Sequence, residues 1–143
     1  MRNPRLARFA LIVLFVSALL IGLTATAFPR TFYDDFPFLA HWVDLLPPYN
    51  EHLVTDVGGL YLGFAVLFGW AARSLDPTLI RATSVAWLVT ATLHLAFHAG
   101  HLGGFGTADA IAEIASLALL LLPAPLAIWG SGRELPPPEG PRP

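Results

Sequence analysis

Apolar residues fall in four long runs, at about 9–28, 53–72, 82–100 and 108–129, separated by short polar or glycine- and proline-rich stretches. Each run holds about 20 residues, enough to cross ~30 Å of hydrocarbon as an α-helix. The pattern predicts an all-α protein, a four-helix transmembrane bundle forming one domain over 1–132, followed by a disordered proline-rich tail over 133–143. The first run follows Arg2, Arg5 and Arg8 and ends at Ala25-Thr26-Ala27. It reads as a retained helix because it is long for a signal sequence. A cleaved leader is the rival reading.

The connections carry their own signals. Between Pro37 and Pro47, the residues Phe38, Leu39, Trp42, Val43 and Leu46 recur at helical spacing, with Asp34 and Asp35 just upstream. This predicts a short interfacial helix between the first and second spans, capping the mouth of the bundle. The same aromatic residues would alternatively serve only as an interfacial belt. Ser74-Leu75-Asp76-Pro77 predicts a tight turn between antiparallel helices, and Thr107 an N-cap for the fourth span. Pro123 and Pro125 should kink that span and free carbonyls one turn earlier. In the second span, Gly59 and Gly63 form a G-x-x-x-G that allows close helix packing, within the chain or between copies.

Only 13% of residues are charged and 55% are hydrophobic, which excludes an ordinary soluble domain. A net charge of −2 offers no basic face for nucleic acid, and the absence of cysteine excludes disulfides and thiolate chemistry. All eight basic residues are arginine. An N-terminus in the cytoplasm puts seven of them inside and only Arg30 outside, so both termini are expected to be cytoplasmic. The expected location is the inner (plasma) membrane, as a multi-pass protein with lipid as its first partner.

The chemistry lies in what interrupts this apolar pattern. His94, His98 and His101 fall within a sector of about 60° over about 10 Å of helix. Glu51, His52 and Asp56 open the second span, and Asp109 and Glu113 open the fourth. In an up-and-down bundle all of these gather at the extracytoplasmic rim, where ionisable side chains at membrane depth are functional candidates. Two His at i, i+4 with a carboxylate from a neighbouring helix suit a divalent metal, zinc or iron. The expected ligands are His94, His98 and Glu113, with Asp56 or His52 as a fourth and His101 supporting them. H-E-x-x-H is absent, since Leu95 and Ala96 follow His94.

Three alternatives stay open. His52 facing His94 or His98 would suit a haem. A His beside a buried carboxylate is a general acid–base pair without metal. A polar network at the interface would have no ligand at all, and His41 is then simply an exposed loop residue.

The stretch Tyr49-Asn50-Glu51-His52-Leu53, followed by Asp56-Val57-Gly58-Gly59-Leu60-Tyr61-Leu62-Gly63, resembles the second helix of small bacterial four-helix membrane proteins of the DoxX-like kind. The run from Leu93 to His101 is similar to a further feature of those proteins. That resemblance implies a four-helix membrane fold and a partner in a membrane redox complex or quinone-linked oxidation, and it transfers no catalytic residue. Two function classes follow. One is a membrane enzyme or redox accessory with an outward-facing His/carboxylate site. The other is a structural or assembly subunit of a larger membrane complex or homo-oligomer, packing through Gly59 and Gly63.

Overall fold

A computed structural model describes residues 3–46 and 48–132. The expected proline-rich tail over 133–143 lies outside the described residues. The described chain is all-helical, with four helices long and apolar enough to cross a membrane. These are α1 (Pro4–Ala27), α3 (Glu51–Ser74), α4 (Pro77–Ala99), and a fourth span made of α5 (Thr107–Leu121) and α6 (Pro123–Gly130). A short helix, α2 (Pro29–Asp35), follows α1, and a 3₁₀ turn (Leu102–Gly104) precedes α5.

The starts of the long helices are fixed by local chemistry. Asn3, Asn50 and Asp76 each accept a hydrogen bond from the backbone N–H three residues on, at 3.0, 3.1 and 2.7 Å, satisfying a donor the helix leaves free. Pro4 and Pro77 occupy first-turn positions where a missing N–H costs nothing. Leu75 adopts a left-handed conformation (φ 53°), which closes α3 and turns the chain directly into α4. The N-cap of α5 is Gly106 rather than Thr107, which becomes the first helical residue.

The helices run up and down. Asn3 N–H donates to the Gly130 carbonyl (3.1 Å), and Arg8 Nε to the Ala72 carbonyl (3.1 Å). The start of α1, the end of α3, the start of α4 and the end of α6 therefore share one end, which carries Arg5, Arg8, Arg73 and Arg81. We call this the arginine end. The opposite, histidine end carries α2, the 36–50 loop, His98 and the start of α5.

Helix α1 packs chiefly on α3, and α6 fills the space between α1 and α4. The core is small-residue and aromatic: Ala7, Ala10, Leu11, Leu14 and Ala18 of α1 meet Ala65, Phe68 and Ala71 of α3, Trp87 of α4, and Ala124 and Ala127 of α6. Trp87 is the hub. Its ring meets Tyr61, Phe64 and Phe68 edge-on at 5.5–5.7 Å, a favoured aromatic geometry. Its buried indole N–H donates to the Leu120 carbonyl at 3.2 Å, near the break that Pro123 makes between α5 and α6.

Gly59 and Gly63 do not make a contact within the chain, one of the two roles expected of them, and the expected short helix is displaced. The close helix approach does not use Gly59 and Gly63, both of which face open space, with nothing within 4 Å of where a Cβ would stand. It uses Gly58 against Ala25 and Thr26, and Gly22 against Leu62, where neighbouring backbone comes within 3.1 Å of that point. The expected helix over 38–46 is also absent. Phe38, Leu39 and His41 have positive φ (49°, 69° and 58°), incompatible with a right-handed helix, and the segment folds as successive turns. The short helix lies earlier, over Pro29–Asp35, where Pro29 sets its first turn.

Candidate functional site

On α4, Trp87, His94 and His98 recur at intervals of seven and four and so project from neighbouring parts of the helix surface. Trp87 is held in the core. His94 and His98, about two and three turns beyond it, are directed at α3 and α5 near the histidine end. His98 is buried (7% exposed) against α5, where it meets Glu113 (3% exposed). His98 Nδ1 and Glu113 Oε1 are hydrogen-bonded at 2.5 Å. The second carboxyl oxygen of Glu113, Oε2, is buried with no hydrogen-bond partner among the described residues. A polar atom so placed ordinarily has a partner, because leaving it bare costs about 1–3 kcal/mol. Ser116 donates to the Glu113 backbone carbonyl (2.8 Å) and does not serve that carboxylate.

His94 stands beside this pair. Its ring centroid is 4.4 Å from that of His98, with the planes at 64°. It makes no hydrogen bond within the described residues, and it forms the upper wall of a cleft between α3 and α4. The cleft has a volume of about 250 Å³ and is lined by Val57, Leu60, Tyr61, Phe64, Thr90 and His94. The four α3 residues follow the i, i+3, i+4, i+7 spacing of a single helix face. The cleft exists because α3 is drawn onto α1 through Gly58 and Gly22 and leaves α4 above the Trp87 contact.

The remaining rim residues are dispersed. His52 and Asp56 form their own pair on α3 (3.4 Å), with side chains 86% and 58% exposed. His101 stacks on Phe97 (4.0 Å between centroids) and donates from Nδ1 to the Phe97 carbonyl (2.7 Å). Asp109 accepts the Trp42 indole N–H (3.3 Å), and Leu45 lies against Gly104, so the 36–46 loop reaches across to the start of α5. His41 donates from Nδ1 to the Asp34 carbonyl (2.5 Å) and is a loop residue. Arg30 pairs with Asp34 (2.7 Å) beside the Tyr33 and Tyr49 rings, and that carboxylate holds its guanidinium above its ordinary pKa.

The six side chains expected around one ion are thus not gathered. Among the described residues no three His, Asp or Glu side chains are placed to hold a metal ion. One imidazole nitrogen of His98 is committed to Glu113, His94 is turned to the α3 side, and His52 and Asp56 stay on the open surface of α3. What does come together is a buried imidazole–carboxylate pair, a second imidazole against it, and an apolar cleft leading to that imidazole. Sequence reasoning found the three polar members and missed the cleft. Its signal was Tyr61, a phenol in the middle of an apolar span, at helical spacing from Val57, Leu60 and Phe64. Comparison with family models, with curated proteins and with solved structures finds no match to this chain.

Proposed function

We propose that this is a small multi-pass protein of the inner membrane, with both termini cytoplasmic and α2 lying at the outer interface. Its working centre is an acid–base dyad, His98 and Glu113, with His94 as the member that meets a ligand. The carrying observation is the buried 2.5 Å contact between His98 Nδ1 and Glu113 Oε1, together with an Oε2 that has no partner among the described residues. Two titratable groups this close do not ionise independently: one proton moves between them, and a shift at either is felt at the other. Imidazole titrates within the physiological range, so such a dyad can take a proton from a bound molecule and return it. His94, in ring contact with His98, stands between this pair and the cleft.

The test is an infrared pH titration of the full chain in nanodiscs. A carboxyl band that disappears in Glu113→Gln and changes its titration in His98→Asn is the expected result. A Glu113 band that titrates identically with and without the His98 imidazole refutes the dyad. Metal analysis of the same preparations decides between proton and metal chemistry. Stoichiometric zinc or iron that is lost in His94→Ala/His98→Ala would replace the acid–base reading with a metal site, and a haem absorption band would replace it with a haem site.

A second reading rests on a separate observation. Gly59 and Gly63 are exposed and unopposed, as a small-residue contact for a second copy or a partner subunit would require. Under that reading the chain is an assembly subunit, and Gly59→Leu/Gly63→Leu abolishes cross-linked oligomers in the membrane while the monomer stays folded.

A further inference from the structure

The cleft between α3 and α4 is a chemically graded space. Phe64 walls its lower end beside the Trp87 ring, Leu60, Tyr61 and Thr90 line its middle, and Val57 and His94 stand nearest the histidine end. Polar groups enter only above Phe64. Thr90 donates its hydroxyl proton to the Ala86 carbonyl (3.2 Å) and keeps its lone pairs. The Tyr61 phenol and the His94 imidazole make no hydrogen bond to any described residue, and both line the cleft. His94 lies five residues before the end of α4, about 8 Å along the helix from it. Apolar walls toward the bundle middle and polar groups toward its end match the orientation of an amphiphile in a bilayer, tail inward and headgroup near the surface.

The occupant's chemistry follows from these groups. A space of about 250 Å³ with so few polar partners is poorly suited to a water cluster, since each buried water needs about 2–4 of them. No Asp, Glu, Lys or Arg lines it, so nothing compensates a charged headgroup. The Tyr61 O–H can donate, and neutral His94 can accept at one nitrogen. A hydroxyl matches both, because it accepts and donates. A carbonyl or an ether can only accept and would leave the imidazole acceptor unsatisfied. We propose that the α3–α4 cleft binds a neutral lipophilic alcohol drawn from the bilayer, its hydroxyl held between Tyr61 and His94 and its hydrocarbon tail running past Thr90 and Leu60 toward Phe64. This deepens the acid–base reading and rests on it in one respect: the hydroxyl is held by His94, whose ring abuts the His98 of that pair.

The experiment uses the full chain in phosphatidylcholine nanodiscs and a long-chain primary alcohol carrying a diazirine in its tail. The matching methyl ether, which cannot donate, is the control. Cross-links mapped by mass spectrometry should fall on 57–64 and 90–94, and unlabelled alcohol should compete them away. The alcohol should label about three- to tenfold better than the ether, the effect of one net hydrogen bond. Tyr61→Phe and His94→Phe should each lower that ratio toward one while labelling persists, and Val57→Trp should close the cleft and remove labelling by both probes. Equal labelling by alcohol and ether in the wild type, or cross-links spread along the outer α4 face at Val85, Val89 and Leu93, would overturn the proposal. The two readings fail separately. An alcohol preference that survives in Glu113→Gln, without infrared coupling in the wild type, removes the dyad and keeps the cleft. Coupling without alcohol preference does the reverse.

Discussion

Replacing Gly58 by alanine adds one methyl group at the closest approach of two membrane helices. An ideal Cβ there would lie 2.4 Å from Thr26 Oγ1, 2.8 Å from the Thr26 backbone nitrogen and 3.1 Å from the Ala25 carbonyl carbon. The hydroxyl can rotate away, but the two backbone atoms cannot. Ordinary contact begins at 3.4 Å, so α1 and α3 must separate locally by several tenths of an ångström. Forcing an extra carbon into such a site costs about 1–3 kcal/mol. Alanine's better helix propensity offsets about 1 kcal/mol of this. Gly59, the next residue on the same helix, supplies the control, since its Cβ would meet nothing within 4 Å and only the propensity gain applies. The difference between Gly58→Ala and Gly59→Ala is therefore the steric term alone, about 1–3 kcal/mol with Gly58→Ala the less stable. Reversible unfolding of both variants in the same detergent micelle measures it. Equal stabilities, or a more stable Gly58→Ala, would refute the account of how α1 and α3 meet.

Other substitutions probe the remaining contacts. Gly130→Ala should destabilise by a similar amount, because its Cβ would stand 2.9 Å from the Ala7 nitrogen and the Asn3 oxygen, and it should show as earlier thermal unfolding. Trp87→Phe leaves the Leu120 carbonyl without its donor and thins the ring cluster; a loss of about 2–4 kcal/mol is expected in the same unfolding assay. A double-mutant cycle on His98→Ala and Glu113→Ala should give a favourable coupling of about 0.6–1.7 kcal/mol, the range of interhelical hydrogen bonds in lipid, and additive effects would exclude the contact. Trp42→Phe should change stability by less than about 1 kcal/mol, because the bond to Asp109 is solvent-exposed, yet hydrogen exchange over 38–46 should accelerate.

The spans were legible because each is a hydrophobic run bounded by a cap or proline that acts locally. Ser74-Leu75-Asp76-Pro77 marks a turn whatever the rest of the chain does, but the caps Asn50 and Asp76 start α3 and α4 at Glu51 and Pro77, ahead of the expected 53 and 82. The 36–46 loop was not legible, because its helical spacing of apolar residues competes with positive φ at Phe38, Leu39 and His41, a conformation that no pattern of side-chain types announces. The glycine contact lies one residue away from the expected one for a related reason. Gly58, Gly59 and Gly63 satisfy the same small-residue rule, and only the rotation of α3 relative to α1 decides which one meets a neighbour. His98 and Glu113 stood out because a buried ionisable group is rare in an apolar span. Their separation from Asp56 and His52 depends on how far α3 leans, which sequence spacing cannot express.

The distribution of buried residues bears on where the polar pair sits. The arginine end is densely packed: Ala7, Leu11, Phe68, Ala71, Ile80, Ala124 and Ala127 are buried there, with Gly130 against the α1 backbone. Beyond Trp87, the buried residues of α4 reduce to His98, and Glu113 is the one buried residue of α5. The half of the molecule with fewest packed carbons therefore holds its two helices together at these positions through an imidazole and a carboxylate. An apolar pair would hold them less firmly, since lipid gives hydrocarbon no reason to prefer one helix over the bilayer, but it would leave no bare carboxyl oxygen. A polar clasp whose Oε2 has no partner among the described residues, in the half with fewer buried residues on α4 and α5, is suited to meeting a ligand. If it were only a clasp, His98→Leu/Glu113→Leu would lower the unfolding temperature and leave the alcohol's advantage over its ether in cross-linking at Tyr61 and His94 unchanged. If it also completes the site, the same variant would lose that advantage, and the two outcomes are read from one preparation.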